Sequence, residues 1–102
     1  MSWFAVRCIF KWPDQPKYEE RITVWYADTF GAAVDTAEAE ANEYQTGSGA
    51  EYVGLAQAHH LSTDGIGHGS EVFSLIRESS LELVDYLKHF FDTGREVQSD
   101  LT

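Results

Sequence analysis

A chain of 102 residues, 43% of them hydrophobic and 24% charged, is long enough for one ordinary core and too short for a second domain, which excludes a wholly disordered chain. The formal net charge of -10 argues against binding to duplex nucleic acid or an anionic membrane, and a single cysteine, Cys8, excludes an internal disulfide and a cysteine-based zinc site. No apolar run approaches the roughly 18 residues of a membrane span, and Met1-Ser2-Trp3-Phe4 lacks the basic and apolar regions of a signal peptide, so the expectation is a cytoplasmic protein.

Trp3 to Trp12 alternates, with Phe4, Val6, Cys8, Phe10 and Trp12 on one face and Trp3, Ala5, Arg7, Ile9 and Lys11 on the other, which predicts a half-buried strand. Pro13-Asp14-Gln15-Pro16 ends it with turn residues. Tyr18 to Ala27 alternates again, setting Tyr18, Ile22, Val24 and Tyr26 against Glu19, Arg21, Thr23 and Trp25, so the two runs read as a hairpin. If both apolar faces coincide, paired residue numbers sum to an even value; a register with Phe4 opposite Tyr26, Val6 opposite Val24, Cys8 opposite Ile22 and Lys11 opposite Glu19 meets that condition.

Asp28 or Thr29 can cap a helix reaching about Gln45, in which Phe30, Ala33, Val34, Ala37, Ala41 and Tyr44 recur at helical spacing. Its other face carries Asp35, Glu38, Glu40 and Glu43 with no basic residue four positions away. Thr46-Gly47-Ser48-Gly49 is a loop, and Tyr52 to Leu61 a third strand whose two faces are too alike for alternation to say which one meets the helices. A glycine-rich loop over 62–70 leads to a predicted fourth strand, Glu71 to Arg77. Ser79-Ser80-Leu81-Glu82 then matches a capping box ahead of a helix with Leu83, Val84, Leu87, Phe90 and Phe91 on one stripe, and Gly94 suits its C-terminal cap. Residues 95–102 read as a frayed tail, leaving one domain over 1–102 with its core in 3–94. The predicted fold is α+β: two ββα units, at 3–45 and 51–92, forming a four-stranded, mainly antiparallel sheet with two helices on one face.

Several separated blocks, Trp3-Phe4-Ala5-Val6-Arg7, Tyr18-Glu19-Glu20-Arg21-Ile22-Thr23, the run Glu51 to Ala58, the run Glu71 to Arg77 and Phe90-Phe91-Asp92-Thr93-Gly94, resemble a bacterial domain of unknown function, domain family 4288. The resemblance spans 3–94. It implies a compact bacterial domain and carries over no site residues, because the family has no assigned activity.

Catalytic and metal motifs are weak. His59, His60, His68 and Asp64 include good zinc ligands, but neighbours in a strand point to opposite faces, so His59 and His60 cannot share one ion. Gly65-Ile66-Gly67-His68-Gly69 precedes a predicted strand rather than the helix a phosphate-binding loop needs. Cys8 sits mid-strand on an apolar face, where a thiol is a packing residue. No nucleophile, base and orienting group occur together, so the expectation is a non-enzymatic protein with no cofactor and no metal.

Two surfaces remain as interaction candidates. In the register above, Trp3, Arg7, Lys11, Arg21 and Trp25 share the outer face of the first hairpin, where Trp and Arg are favoured interface anchors. Asp35, Glu38, Glu40 and Glu43 form an acidic helix face, and no Lys or Arg occurs from Ile22 to Ile76. These features point to a protein interaction module, of inhibitor or immunity type against a basic partner, and to a homodimer formed through the hairpin face that one helix layer leaves uncovered. The alternative is a small-ligand or single-stranded nucleic-acid site on the Trp/Arg face.

Overall fold

A computed structural model describes residues 1–61, 65–74 and 76–90. The two alternating runs form an antiparallel hairpin of β1 (Ser2–Trp12) and β2 (Lys17–Ala27), closed by a turn in which the Gln15 N–H donates to the Trp12 carbonyl at 3.3 Å. A third antiparallel strand, β3 (Glu51–His60), lies on the other side of β1, giving the order β2-β1-β3. Placing β1 in the middle follows from its two apolar rows, since the central strand is flanked on both edges and has both faces available for burial.

Between β2 and β3 runs α1 (Phe30–Ser48). The Thr29 side chain caps it, accepting the Ala32 N–H at 3.0 Å, and Gly49 ends it at φ 84 with its N–H on the Gln45 carbonyl. Ala33, Ala37 and Ala41 recur every fourth residue and are all buried, so the helix lays a narrow strip of methyl groups against Phe4, Val6, Cys8 and Phe10. Small residues on the helix and large ones on the central strand let the layers approach closely. Phe10, fully buried, packs edge-on against Tyr44 at 5.1 Å and at a tilt against Tyr52 at 5.5 Å.

Two expectations about the architecture are corrected. The sheet has three strands rather than four, and only one ββα unit forms: residues 71–74 and 76–77 are not a strand. Alternation assigns a face but cannot supply a partner, and a strand persists only where its backbone groups join a ladder. The edge that this segment would need, that of β3, is broken by a two-residue shift around Gly54, whose φ of 86 marks a bulge. The second helix, α2 (Leu83–Phe90 among the described residues), starts later than its capping box predicts; the Ser79 hydroxyl does accept the Leu81 N–H at 3.1 Å, but regular helix starts at Leu83. It packs on none of β1, β2, β3 or α1, and none of its residues is buried. Phe91, Gly94 and 95–102 lie outside the described residues.

Candidate functional site

The hairpin register differs by one residue from the predicted one. Trp3 pairs with Tyr26, Phe4 with Trp25, Val6 with Thr23, Cys8 with Arg21 and Lys11 with Tyr18. A slip of one residue turns every β2 side chain to the other face. The proposed Trp/Arg surface is therefore split: Trp3, Arg7 and Lys11 stand on the helix-free face, while Arg21 and Trp25 face α1. The assumption that both apolar rows coincide fails because α1 provides polar partners for Glu19 and Arg21 of the mixed row, while Thr23 and Trp25 bond to each other.

Those partners form a seam between helix and sheet. The Arg21 guanidinium pairs with the Glu40 carboxylate and lies 4.0 Å from the centre of the Tyr44 ring, and this pairing raises its pKa further. The Tyr44 hydroxyl donates to Glu19 at 2.8 Å, and the Trp12 indole N–H reaches the same carboxylate at 3.3 Å. On the β3 side the Tyr52 hydroxyl donates to Glu38 at 2.6 Å. Burial, followed by that bond to Glu38, pushes the Tyr52 phenol well above its ordinary range. Cys8, 4% exposed beside Tyr52, has its thiol pKa raised mainly by burial, so it stays protonated and shielded. The Trp25 indole N–H donates to Thr23 Oγ1 at 2.7 Å, and the ring packs on the core cluster.

The acidic helix face is thus divided as well. Glu38 and Glu40 are turned to the two flanks of the helix and tied to the sheet; Asp35 and Glu43 are exposed. The tie to the sheet is invisible to any helical-spacing rule, because the partners stand 14 and 19 residues away in sequence.

The helix-free face is built around Arg7. Its guanidinium pairs with Glu20 at 3.1 Å on one side, donates to Gln57 on the other, and sits 4.7 Å from the centre of the Phe73 ring, while its Nε is buried with no hydrogen-bond partner. Trp3 packs on Tyr26 at 5.1 Å. Lys11 lies over Tyr18, opposite Glu51 in the ladder, and donates to the Trp12 carbonyl at 2.8 Å. Around these groups Ile22, Val24 and Tyr26 of β2 are exposed, Tyr26 by 54%. Because the shift in β3 is two residues, parity is kept across the bulge, and Val53 and Leu55, each 49% exposed, join the same face as Gln57 and His59. These apolar residues were not among the sequence candidates, although alternation already grouped Tyr18, Ile22, Val24 and Tyr26.

His59 and His60 do face opposite ways: His59 lies against Phe73 at 5.9 Å, and His60 against Phe4 at 5.2 Å on the helix side. Asp64 lies outside the described residues, and among those described no three metal-ligating side chains converge. The glycine loop folds into a tight turn, with the Ser70 N–H on the Gly67 carbonyl and the Gly67 N–H on Ser70 Oγ. Tyr52, Ala56, Ala58 and His60 are β3 residues on the α1 side, which resolves the side left open by alternation. No described helix is long and apolar enough to cross a membrane. No protein-family model, curated protein or solved structure matches the chain.

Proposed function

We propose that this protein is a non-enzymatic interaction module that pairs with a second copy of itself through the helix-free face of its sheet. The observation that carries this reading is the row of exposed apolar side chains, Ile22, Val24, Tyr26, Val53 and Leu55, shared by both outer strands of a face that α1 does not cover. Phe73 lies over Arg7 and against His59 in the middle of this face, where Ala5 is fully buried, so the exposed rows of β2 and β3 on either side form the contact surface.

Charge supports the same orientation. On this face Arg7 is matched by Glu20 and Lys11 stands opposite Glu51, so two faces meet without like-charge repulsion. With about 10 Å per layer, the α1 helices of the two copies stand ~30 Å apart, several times the ~8 Å screening length at physiological salt. Stacking of single-stranded nucleic acid, by contrast, loses its support with the split of Arg21 and Trp25 from Trp3, Arg7 and Lys11, and the resemblance to domain family 4288 supplies no site for either reading. Sedimentation or light scattering at tens of micromolar tests the proposal. A dimer that becomes a folded monomer on Ile22→Lys with Val24→Lys is expected; a monomeric wild type at roughly 50 µM refutes it.

A further inference from the structure

The sheet ends on two open edges of unlike quality. The β3 edge is interrupted at Gly54. The β2 edge is continuous: its pairing with β1 runs from Ser2 with Ala27 to Trp12 with Lys17 without a shift, and the strand contains no proline. No described element is hydrogen-bonded on its far side. Natural edge strands are blunted by charge, proline, bulges or a covering element. The half of β2 from Ile22 to Ala27 has no charged residue and none of those other devices among the described residues. Its outward N–H and C=O groups make a template for one more strand.

The side chains bordering this edge differ on the two sides of the sheet. Below are Tyr18, Glu20, Ile22, Val24 and Tyr26, all exposed, with Glu20 paired to Arg7. Above, on the helix side, stand Glu19, Arg21 and the exposed Lys17, and the flank of α1 that carries Glu40 and, three residues on, the exposed Glu43. Arg21 is taken by Glu40. Among the described residues Glu19 receives side-chain hydrogen bonds only from Tyr44 and Trp12, which are neutral, and no ion pair involves Glu43. With Arg21 and Glu40 paired, Lys17 set against Glu19 and Glu43 leaves the upper border with one net negative charge, and the lower border is apolar from Ile22 to Tyr26. Successive residues of an added strand point alternately to these two borders.

We infer that the β2 edge accepts an extended segment of a partner protein in which apolar residues alternate with Lys or Arg, the apolar ones extending the row of Ile22, Val24 and Tyr26 and the basic ones meeting Glu19 and Glu43. A second copy's β2 fits less well, because pairing with both helices on the same side brings two acidic flanks together. Pairing with them on opposite sides sets Glu19 and Arg21 beside the apolar row. The backbone edge stays free in a face-to-face dimer, although both surfaces draw on Ile22, Val24 and Tyr26.

The test uses the full chain and short synthetic peptides: one alternating Val with Lys, one of identical composition with its lysines in a block, and one alternating Val with Glu. The alternating basic peptide should bind, read by fluorescence anisotropy, at least about tenfold more tightly than either control. Amide exchange should slow within Ile22–Ala27 and not within Glu51–His60. Glu43→Lys, an exposed change that leaves the fold intact, should weaken binding about three- to tenfold. Equal affinity for the blocked peptide, protection on β3 instead of β2, no binding at about 100 µM, or β2 protection that rises with protein concentration in the absence of peptide would overturn the inference. A monomeric wild type that still binds the peptide would remove the dimer and leave this site standing.

Discussion

The one-residue register of the hairpin is open to a sharp test, because it assigns opposite fates to Trp25 and Ile22. Trp25 packs on the core beneath α1, with its N–H on Thr23, whereas Ile22 is 43% exposed on the helix-free face with Arg7 as its ladder partner. Removing a Trp from a core costs about 3–5 kcal/mol, and partial exposure places this one near ~3 kcal/mol. A carboxylate left there without a donor adds about 1–3 kcal/mol, so Trp25→Glu should remove about 4–6 kcal/mol. That is a large share of the ~5–15 kcal/mol that holds a domain of this size together. Ile22→Glu loses about 1 kcal/mol of partial burial, and the new carboxylate beside Arg7 returns a few tenths of a kcal/mol or more. Urea unfolding followed by far-UV circular dichroism, at submicromolar protein so that assembly adds nothing, separates the two. With a slope of about 2 kcal/mol/M, the midpoint should fall by ~2 M or more for Trp25→Glu, to the point of unfolding, and by under ~0.5 M for Ile22→Glu. Equal shifts, or the reverse order, would refute the register and restore the one that buries Ile22.

Three further outcomes follow from the same geometry. Gly54→Val should cost about 1–2 kcal/mol in chemical denaturation through backbone strain alone, because φ is 86 there and a Cβ meets nothing within 4 Å. Thr29→Ala, which strips the cap of α1, should cost ~1 kcal/mol by the same measurement, and Thr29→Ser should restore most of it. Stability should be constant through neutral pH and decline in alkali, since Cys8 and Tyr52 both hold their protons more tightly in the folded chain. The unfolded thiol and phenol ionise near ~8.5 and ~10, so the loss starts at about pH 9 and continues upward until the folded groups themselves ionise. Urea midpoints measured from pH 8 to 11 should show this slope, and Tyr52→Phe should flatten its upper part.

Much of the local structure was legible in the residues alone. Alternation in Ser2–Trp12 and Lys17–Ala27 and the turn residues between them specify a hairpin, and Thr29 and the alanines at every fourth position specify where α1 starts and which stripe it buries, whereas its end is misplaced: Thr46, Gly47 and Ser48, which read as loop, continue the helix to its cap at Gly49. Such features depend on neighbours a few residues away, which the sequence displays directly. The register did not, because β2 has two rows that can each be buried, an apolar one and a mixed one. The mixed row turns inward only when Glu40 and Tyr44 stand ready to receive Arg21 and Glu19, 19 and 25 residues further along the chain. The same distance hid the fate of Glu38 and Glu40, which a helical wheel places on an open acidic face and the sheet draws into hydrogen bonds. In the opposite sense, Glu71 to Arg77 alternates as well as the true strands do, yet alternation carries no information about whether an unbroken edge lies within reach, and the bulge at Gly54 leaves β3 without one. Periodicity decides which side chains travel together; the partners that backbone and charge find across the fold decide which way they face.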